Sequence, residues 1–357
     1  MDRRARVALV GYGLGGSVFH APFIAAEPRL DLAAIVTGDP RRQERARARH
    51  PGAEVLGGVD LLLDRLREVD LVVISTPNAT HAPLATEVLE RGRPVVVDKP
   101  VAPTVAEVLS LRRLATSTGL CVVPFHNRRW DGDFRTVTDL LEGGELGEVH
   151  RVESRFERWQ PRGPARPAPD WKEDPAPGAG TGILQDLGTH LVDQAVVLFG
   201  PPRQVYAELA VRRPGARVVD DMFVALAYDP GPRVHLWASA LAANRGPRFR
   251  VLGSTGAYVK YGMDVQEEAL RAGGVPGTPG WGQEPPASFG RIERGDGEGR
   301  AVPTRPGAYQ AFYARMAACV LDGAPPPVST DDAVVVARTV EAAARSAREG
   351  AVVNLEA

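Results

Sequence analysis

The chain has 357 residues and a formal net charge of −1, from 43 basic and 44 acidic side chains. Its length allows two domains and a large core, and its balanced charge argues against nucleic acid or an acidic membrane surface as a partner. Two cysteines are too few for a disulfide framework, and no segment is apolar over the length of a membrane span. We therefore expect a cytoplasmic protein whose ligands are small molecules, and no metal site is predicted.

The first third of the sequence alternates strand and helix patterns. Apolar runs predict strands at Val7–Val10, Leu32–Val36, Leu71–Ile74, Val95–Val97 and Leu120–Val123. Helical patterns separate them at Pro40–Arg49, Leu61–Glu68, Thr80–Arg91 and Thr104–Thr118. Continuous Val, Ile and Leu runs that alternate with helices are typical of a parallel sheet covered on both faces. We predict a doubly wound Rossmann domain over residues 1–124.

A glycine-rich turn follows the first apolar run. Gly11, Gly13 and Gly16 form the pattern G-x-G-x-x-G, Leu14 lies inside it, and residues 17–26 continue with a helical pattern. Gly11 allows a tight turn, Gly13 leaves room for a pyrophosphate, and Gly16 lets the helix approach the strand. A glycine-rich loop without a ligand is the alternative. After a strand and before repeated strand–helix units, the pattern predicts a dinucleotide-binding site.

The end of the second predicted strand decides which dinucleotide is bound. Residues 36–38 include Thr37 but no carboxylate, which would bind the ribose of NAD and repel a 2′-phosphate. Asp39 has a structural explanation as the cap of the next helix. Arg41 and Arg42 lie just beyond and can bind a phosphate, although an exposed first helical turn explains them too. The sequence favours NADP, with NAD possible.

Polar residues also follow the third predicted strand. Thr76, Pro77 and Asn78 come directly after it and can line the cofactor. His81 lies at the start of the following helix, where it either contacts the cofactor or serves the helix start.

Lys99 follows the fourth predicted strand, Val95–Val97. An ammonium at a strand end beside a redox cofactor can bind and polarise an alcohol oxygen. A salt bridge with Asp98 is the alternative. Asn127 lies just after the fifth predicted strand and is a candidate nicotinamide contact.

Strand patterns dominate the second half. They are Val149–Trp159, Val205–Arg212, Met222–Tyr228, Val234–Leu241, Arg248–Leu252 and Ala257–Lys260. Short turns between consecutive strands favour an open, mostly antiparallel sheet, so we predict an α+β substrate-binding and oligomerisation domain over residues 125–357. Two Pro- and Gly-rich stretches are long for connections. We expect Pro161–Gly182 to cover the substrate, and Gly273–Gly307 to be a lid or an inter-subunit arm.

The helix predicted over Gly182–Gly200 carries an unusual polar pair. Asp186 and His190 are four residues apart and therefore share a helix face, while apolar residues cover much of the rest. Such a pair is either a satisfied core contact or an acid–base unit. Beside a cofactor domain, alcohol oxidation needs a base for the hydroxyl proton, and histidine has a suitable pKa.

At these residues the chain resembles the glucose–fructose oxidoreductase/inositol dehydrogenase (Gfo/Idh/MocA) family over nearly its whole length. The family's E-K-P corresponds to Asp98-Lys99-Pro100, and its D-x-x-x-H corresponds to Asp186 through His190. The resemblance implies that Lys99, Asp186 and His190 are catalytic. GYGLGGSVFHAPF and GTGILQDLGTHLVDQ are similar to the NADP-dependent scyllo-inositol dehydrogenase subgroup. Gly38-Asp39 stands where those relatives often have Ser-Arg, whose arginine suits the 2′-phosphate of NADP. The chain therefore departs from the subgroup at one feature that favours NADP.

The resemblance implies hydride transfer between NADP(H) and a secondary alcohol of a cyclic polyol or sugar. Lys99, Asp186 and His190 are then substrate contacts too. Trp159 and Trp171 are further candidates because tryptophan packs against sugar faces, and a buried structural role is the alternative for each. Another sugar or aldose as substrate, or a sensor that binds NAD(P) without turnover, are the alternatives. The family also implies a homodimer or homotetramer through the C-terminal sheet.

Overall fold

Strands and helices alternate up to residue 124, and strands dominate from residue 149 to residue 302. The computed structural model describes residues 3–161, 171–176, 178–295 and 297–355. Within them the strands are β1 (Ala5–Val10), β2 (Leu30–Val36), β3 (Glu54–Leu56), β4 (Leu71–Ile74), β5 (Val95–Val97), β6 (Val122–Pro124), β7 (Val149–Glu157), β8 (Gln204–Ala210), β9 (Asp221–Ala227), β10 (Arg233–Ser239), β11 (Phe249–Gly253), β12 (Ala257–Lys260), β13 (Gly290–Glu293), β14 (Gly299–Val302) and β15 (Val353–Asn354). The α-helices are α1 (Ala21–Ala26), α2 (Pro40–Arg49), α3 (Val59–Leu63), α4 (His81–Glu90), α5 (Val105–Thr118), α6 (Gly132–Glu142), α7 (Thr189–Phe199), α8 (Gln266–Arg271), α9 (Gln310–Asp322) and α10 (Thr330–Glu349).

Six of these strands form a parallel sheet in the order β3-β2-β1-β4-β5-β6. This is the strand order of a doubly wound dinucleotide-binding fold, which binds ligands beyond the carboxyl ends of its strands. Every residue of β4 and β5 is buried, as expected for a sheet with helices on both faces. The predicted Rossmann fold is confirmed.

Most boundaries predicted in this region are right to within two residues. The limits of β4, β5 and α2 are those predicted, and α5 begins after Thr104, which caps it in a capping box. The prediction missed β3, a short edge strand that has only one buried residue. The helix predicted over Leu61–Glu68 is wrong as one element, because α3 ends at Leu63 and a separate 3₁₀ turn covers Leu66–Glu68.

The other nine strands form a second sheet in the order β14-β13-β12-β11-β7-β10-β9-β8-β15. Neighbours are antiparallel except β7 and β10, which run parallel. The predicted mostly antiparallel sheet is confirmed. The strand predicted over Val149–Trp159 ends at Glu157, and Trp159 forms only an isolated bridge with Leu241.

The prediction of a long irregular stretch at Gly273–Gly307 is wrong in part. Strands β13 and β14 lie within it and form a hairpin at the edge of the second sheet. Strand β13 begins at Gly290, where the backbone lies so close to Tyr258 of β12 that a Cβ would overlap the ring and hydroxyl of Tyr258. A glycine in a strand thus marks a close approach of the neighbouring side chain.

Two helical segments begin with a wide, π-type turn. Gly15–His20 precedes α1, and Leu184–Gly188 precedes α7. Turns of this kind are rare and are found frequently at functional sites. In this chain one of them carries part of the glycine pattern and the other carries Asp186.

The chain packs as two units. The first comprises Met1–Trp130, Gln266–Trp281 and Ala308–Val334, and the second comprises Asp131–Val265, Gly282–Gly307 and Val335–Ala357. In the first unit, Phe312, Tyr313 and Met316 of α9 are fully buried in one cluster with the strands of the first sheet. Packing thus groups two late segments with the first sheet, and the division of function at residues 124 and 125 stays a prediction.

Some predicted features concern residues that the structure does not describe. The expected substrate-covering stretch Pro161–Gly182 lies outside the described residues at 162–170 and 177.

Among the helices that are described, none has both the length and the apolar character needed to cross a bilayer. Cys121 and Cys319 are free thiols, with 3.8 Å between their sulfur atoms.

A buried ionic cluster holds the second unit together around Arg248. Its guanidinium donates to Ser154 Oγ at 2.6 Å, to Gln194 Oε1 at 2.8 Å and to Asp133 Oδ2 at 3.2 Å. Arg248 and Asp133 are almost completely buried. The cluster therefore joins β7, α6 and α7, which is the helix that carries His190.

We predict that Arg248→Leu lowers the free energy of unfolding of the second unit by about 3–5 kcal/mol, because it leaves Asp133 buried without its partner. Arg250→Leu is the matched control. Arg250 pairs with Glu153 at 3.0 Å but its side chain is 42% exposed, so its loss should cost less than about 1 kcal/mol. Urea unfolding measures both variants, and equal destabilisation would contradict the importance of the cluster.

Candidate functional site

Two glycines of the turn after β1 are required by packing. Gly11 has a φ of +99°, and a Cβ there would overlap the carbonyl oxygen of Ser75 at the end of β4. A Cβ at Gly16 would overlap the carbonyl oxygen of Gly11. These contacts hold the turn against the switch point of the sheet, as expected for a dinucleotide-binding turn.

Gly13 differs, because it faces open space. The nearest atom to a Cβ at Gly13 would be a guanidinium nitrogen of Arg42, at 3.7 Å. Leu14 is 47% exposed beside it. Nothing in the first unit demands a glycine at this position, which fits a site where a pyrophosphate approaches the backbone closely.

The residues after β2 include two arginines that can bind a phosphate, and the carboxylate next to them is used as a helix cap. Thr37 is buried, and its carbonyl accepts from the side chain of Gln43 at 2.9 Å. The Asp39 carboxylate caps α2 by accepting from the backbone N–H groups of Arg41 and Arg42, at 2.8 and 3.2 Å. Arg41 and Arg42 are exposed. Asp39 is therefore used as the cap that the sequence predicts, while both arginines can contact a ligand.

The predicted contacts after β4 lie in a tight polar turn. The Thr76 hydroxyl is 2.6 Å from the Thr80 hydroxyl, which donates to the Pro77 carbonyl at 2.7 Å. Thr76 is half-buried, Pro77 is exposed and Asn78 is buried. These bonds fix the shape of the turn beside Gly11.

His81 has a supporting position. It is 1% exposed, and its ring nitrogens lie 2.9 Å from the Thr76 carbonyl and 2.8 Å from the Pro100 carbonyl. The ring therefore joins the turn after β4 to the residues after β5. Because the ring is enclosed by the protein's own backbone, this geometry favours a supporting role at the helix start, and the contact of His81 with the cofactor stays a prediction.

Asp98 and Lys99 follow β5. The Asp98 carboxylate accepts from the backbone N–H of Lys99 at 2.8 Å and from the Ser75 hydroxyl at 3.0 Å. Burial opposes its ionisation, but the contact with His20 and the positive charge of Lys99 hold the pKa of Asp98 well below its usual range. Lys99 itself is half-buried. An ionised carboxylate thus fixes the backbone from which the ammonium projects.

Asn127 completes the edge. It is buried at the start of the short turn Asn127–Trp130, directly after β6. The glycine turn, Thr37, Thr76, Lys99 and Asn127 all follow carboxyl ends of parallel strands, so the first unit brings the predicted cofactor residues to one edge of its sheet.

In the second unit, Asp186 has two cationic neighbours. Its carboxylate lies 3.8 Å from Lys172 Nζ and 4.0 Å from a guanidinium nitrogen of Arg158. The side chain is 35% exposed, whereas His190, on the first turn of α7, is buried. Asp186 can therefore contact a ligand, and its charge is balanced by Lys172 and Arg158.

The predicted tryptophans differ in their surroundings. Trp171 lies beside Lys172, whose Nζ is 5.5 Å from the centre of the indole ring. The neighbouring Glu173 pairs with Arg213 at 3.4 Å, so this short turn is tied down on both sides. Trp159 is 55% exposed. Trp171 thus shares a cluster with Asp186 through Lys172, and no contact ties Trp159 to it in the described part of the chain.

The structure adds residues that the predictions did not include. Lys172 and Arg158 lie beside Asp186, and Ser75 and His20 lie beside Asp98. Lys172 carried a usable signal, because lysine occurs at only three positions in a chain rich in arginine. Arg158, Ser75 and His20 carried no such signal, since their local sequence does not predict a contact with a residue far along the chain.

We predict opposite effects for two glycine substitutions in the turn. Gly11→Ala should lower the melting temperature, because it adds a Cβ at a positive φ and against Ser75. Gly13→Ala should leave the melting temperature unchanged but weaken NADPH binding about tenfold or more, because its methyl group occupies the space of the pyrophosphate. Thermal unfolding and NADPH fluorescence titration measure the two effects. Unimpaired binding by folded Gly13→Ala would contradict this location.

Comparison with known proteins agrees with this arrangement. The family model "Oxidoreductase family, NAD-binding Rossmann fold" (GFO_IDH_MocA) matches residues 5–126. The model "Oxidoreductase family, C-terminal alpha/beta domain" matches residues 138–355. Together they span both sheets.

Relatives align over nearly the whole chain. The uncharacterized oxidoreductase YdgJ of Escherichia coli is 40% identical over 99% of this chain and 100% of its own length. The scyllo-inositol 2-dehydrogenase (NADP(+)) IolW of Bacillus subtilis is 33% identical over 98% of this chain and 96% of its own length. Among solved structures, Bacillus subtilis yvaA superposes with a TM-score of 0.91 at 31% identity, over 99% of this chain and 98% of that one. The chain therefore belongs to the Gfo/Idh/MocA family of oxidoreductases, and its N-terminal part is that family's NAD(P)-binding Rossmann domain.

Proposed function

We propose that the chain is an NADP(H)-dependent dehydrogenase that acts on a secondary alcohol of a cyclic polyol or sugar, with scyllo-inositol and scyllo-inosose as the first pair to test. The observation that carries the proposal is the contact between the glycine turn and the residues after β5. A Cβ at Gly15 would lie 2.8 Å from Asp98 Oδ2, so Lys99 follows a residue that touches the dinucleotide-binding turn. The 33% identity to IolW supports the substrate.

The residues present fit the cofactor, because Gly13 offers an open approach and Arg42 a cation beside it. When bound, the nicotinamide accepts or donates a hydride. In oxidation, His190 takes the proton of the substrate hydroxyl, and Lys99 donates a hydrogen bond to the same oxygen as negative charge develops there. Asp186 accepts hydrogen bonds from neighbouring ring hydroxyls. Its half-exposed carboxylate, 3.8 Å from Lys172 Nζ, supports this role, and orienting His190 is the alternative role.

The preference for NADP is part of the proposal. Asp39, the acidic residue nearest the end of β2, accepts from the backbone of its own helix, and the hydrogen bond from Arg42 is the main cause that lowers its pKa. Residues 36–38, which run from the end of β2 to the residue before Asp39, contain no carboxylate. Arg42, whose guanidinium also lies 3.5 Å from the Asp39 carboxylate in an exposed pair, and Arg41 beside it can bind the 2′-phosphate.

Assembly as a homodimer or homotetramer through the second sheet also stays a proposal. One face of that sheet carries Phe223, His235 and Trp237 in mutual ring contact, and the Arg155 guanidinium lies 4.0 Å from the Trp237 ring. All four are half-exposed. A half-exposed aromatic cluster on a sheet face is suited to burial against a second copy.

We predict that Lys99→Ala and His190→Ala each lower kcat by roughly 10²–10⁴-fold, the usual contribution of positioned proton transfer. NADPH should still bind, because neither side chain forms the glycine turn. Absorbance of the reduced cofactor, with NADP⁺ and a panel of inositols and aldoses, measures turnover. Near-normal kcat in either variant would show that the roles are wrong. NADPH binding without turnover of any panel member by the wild type would favour a sensor.

We predict that Arg42→Ala weakens NADPH binding by about 10- to 100-fold, because a charge-assisted hydrogen bond to phosphate is worth roughly 1.5–3 kcal/mol. NADH binding should not change, since NADH has no 2′-phosphate. Arg47→Ala, on the exposed face of the same helix, is the control and should change neither. Equal weakening of NADPH and NADH by Arg42→Ala would place the arginine elsewhere on the cofactor.

A further inference from the structure

Three polar side chains, those of His20, Asp98 and Tyr313, contact one another beside the glycine turn. His20, the last residue of the wide turn Gly15–His20, is completely buried. Its Nδ1 is 2.6 Å from the hydroxyl of Tyr313 on α9, and its Nε2 is 3.5 Å from Asp98 Oδ2. The ring of Phe125 packs on His20 with 4.0 Å between ring centres. The imidazole is thus held in one orientation.

The chemistry of these groups determines the direction of each contact. Burial raises the pKa of Tyr313 well above its usual value, so that hydroxyl keeps its proton. It therefore donates to Nδ1 of His20, which leaves the ring N–H at Nε2, on the side of Asp98. Nε2 lies 3.5 Å from Asp98 Oδ2, a polar contact that falls short of hydrogen-bond geometry.

Asp98 connects His20 and Tyr313 to the candidate site. Besides facing His20, it accepts from the backbone N–H of Lys99 at 2.8 Å and from the Ser75 hydroxyl at 3.0 Å. A Cβ at Gly15 would lie 2.8 Å from the same carboxylate. The groups that contact Asp98 thus come from the turn after β1, the end of β4 and the end of β5.

We propose that His20 and Tyr313 are positioning residues that hold the Asp98 carboxylate and, through its bond to the Lys99 backbone, fix the direction in which the Lys99 side chain leaves the sheet. Neither touches the reacting atoms. The proposal rests on the proposed function only for the catalytic role of Lys99. Loss of the His20 ring leaves Asp98 with its two hydrogen bonds, from Ser75 and the Lys99 backbone, but removes the polar group that faces the carboxylate and so frees it to turn towards the Lys99 side chain.

The low lysine content of the chain provides a direct readout. Lysine occurs at three positions, so a protein labelled with carbon-13 at the lysine ε position gives three signals. The signal of Lys99 is identified by its loss in Lys99→Arg. Lys172 and Lys260 belong to the second unit and serve as internal references. This measurement needs neither cofactor nor substrate.

Four variants separate positioning from simple packing. His20→Gln keeps an N–H near the position of Nε2, whereas His20→Leu removes it. Tyr313→Phe removes the donor to His20, and Tyr258→Phe is its control, because the Tyr258 hydroxyl is also buried but makes no hydrogen bond within the described structure. We expect His20→Leu to move the Lys99 signal and to lower kcat about tenfold or more. We expect His20→Gln to restore both, Tyr313→Phe to have a smaller effect of the same kind, and Tyr258→Phe to have none.

The outcomes are distinct. A Lys99 signal that is unchanged in folded His20→Leu or Tyr313→Phe overturns the proposal. Equal effects of His20→Gln and His20→Leu, in proportion to a loss of melting temperature, also overturn it. A packing role depends on side-chain volume and not on the presence of an N–H group. If His20→Leu does not fold, the comparison of Tyr313→Phe with Tyr258→Phe decides. Should the wild type turn over no polyol or sugar, the proposed function fails, while the Lys99 signal still tests the positioning.

Discussion

The first unit depends on the close packing of a glycine turn against the ends of neighbouring strands. Gly11 lies against the Ser75 carbonyl, Gly16 against Gly11, and Gly15 against Asp98. A side chain at Gly11 or Gly15 would separate the turn from the ends of β4 and β5, and one at Gly16 would open the turn itself. Because the contacts are with backbone and with a fixed carboxylate, the turn has one position relative to the sheet. The open approach at Gly13 and the direction of Lys99 both follow from this constraint.

The second unit holds charged groups within an apolar scaffold in two places. The Arg248 cluster is deeply buried and joins two helices to the sheet. Asp186 is half-exposed, so its pairs with Lys172 and Arg158 are weak individually and can exchange for ligand contacts. The buried cluster therefore serves stability, and the half-exposed one is suited to binding.

Much of the architecture was predictable because its signals are local. Apolar runs located β4 and β5, Asp39 and Pro40 located the start of α2, and the glycine pattern located the turn. The failures have physical causes. Strand β3 buries only one residue. Strand β13 begins at a glycine, which is required there because the Tyr258 ring on the neighbouring β12 leaves no room for a side chain. Edge strands lack the apolar periodicity on which such predictions depend.

The sequence by itself determined the fold class, the family and the positions of Lys99, Asp186 and His190, since each lies in a local pattern at a strand end or on one helix turn. Only the tertiary structure decided what surrounds them. His20 and Tyr313 are 293 positions apart in the sequence, and no periodic pattern predicts their contact. The partners of His81 could not be predicted for the same reason, because they are carbonyl groups that folding brings together. Side-chain environments arise from packing between distant segments, and no single stretch of sequence encodes them.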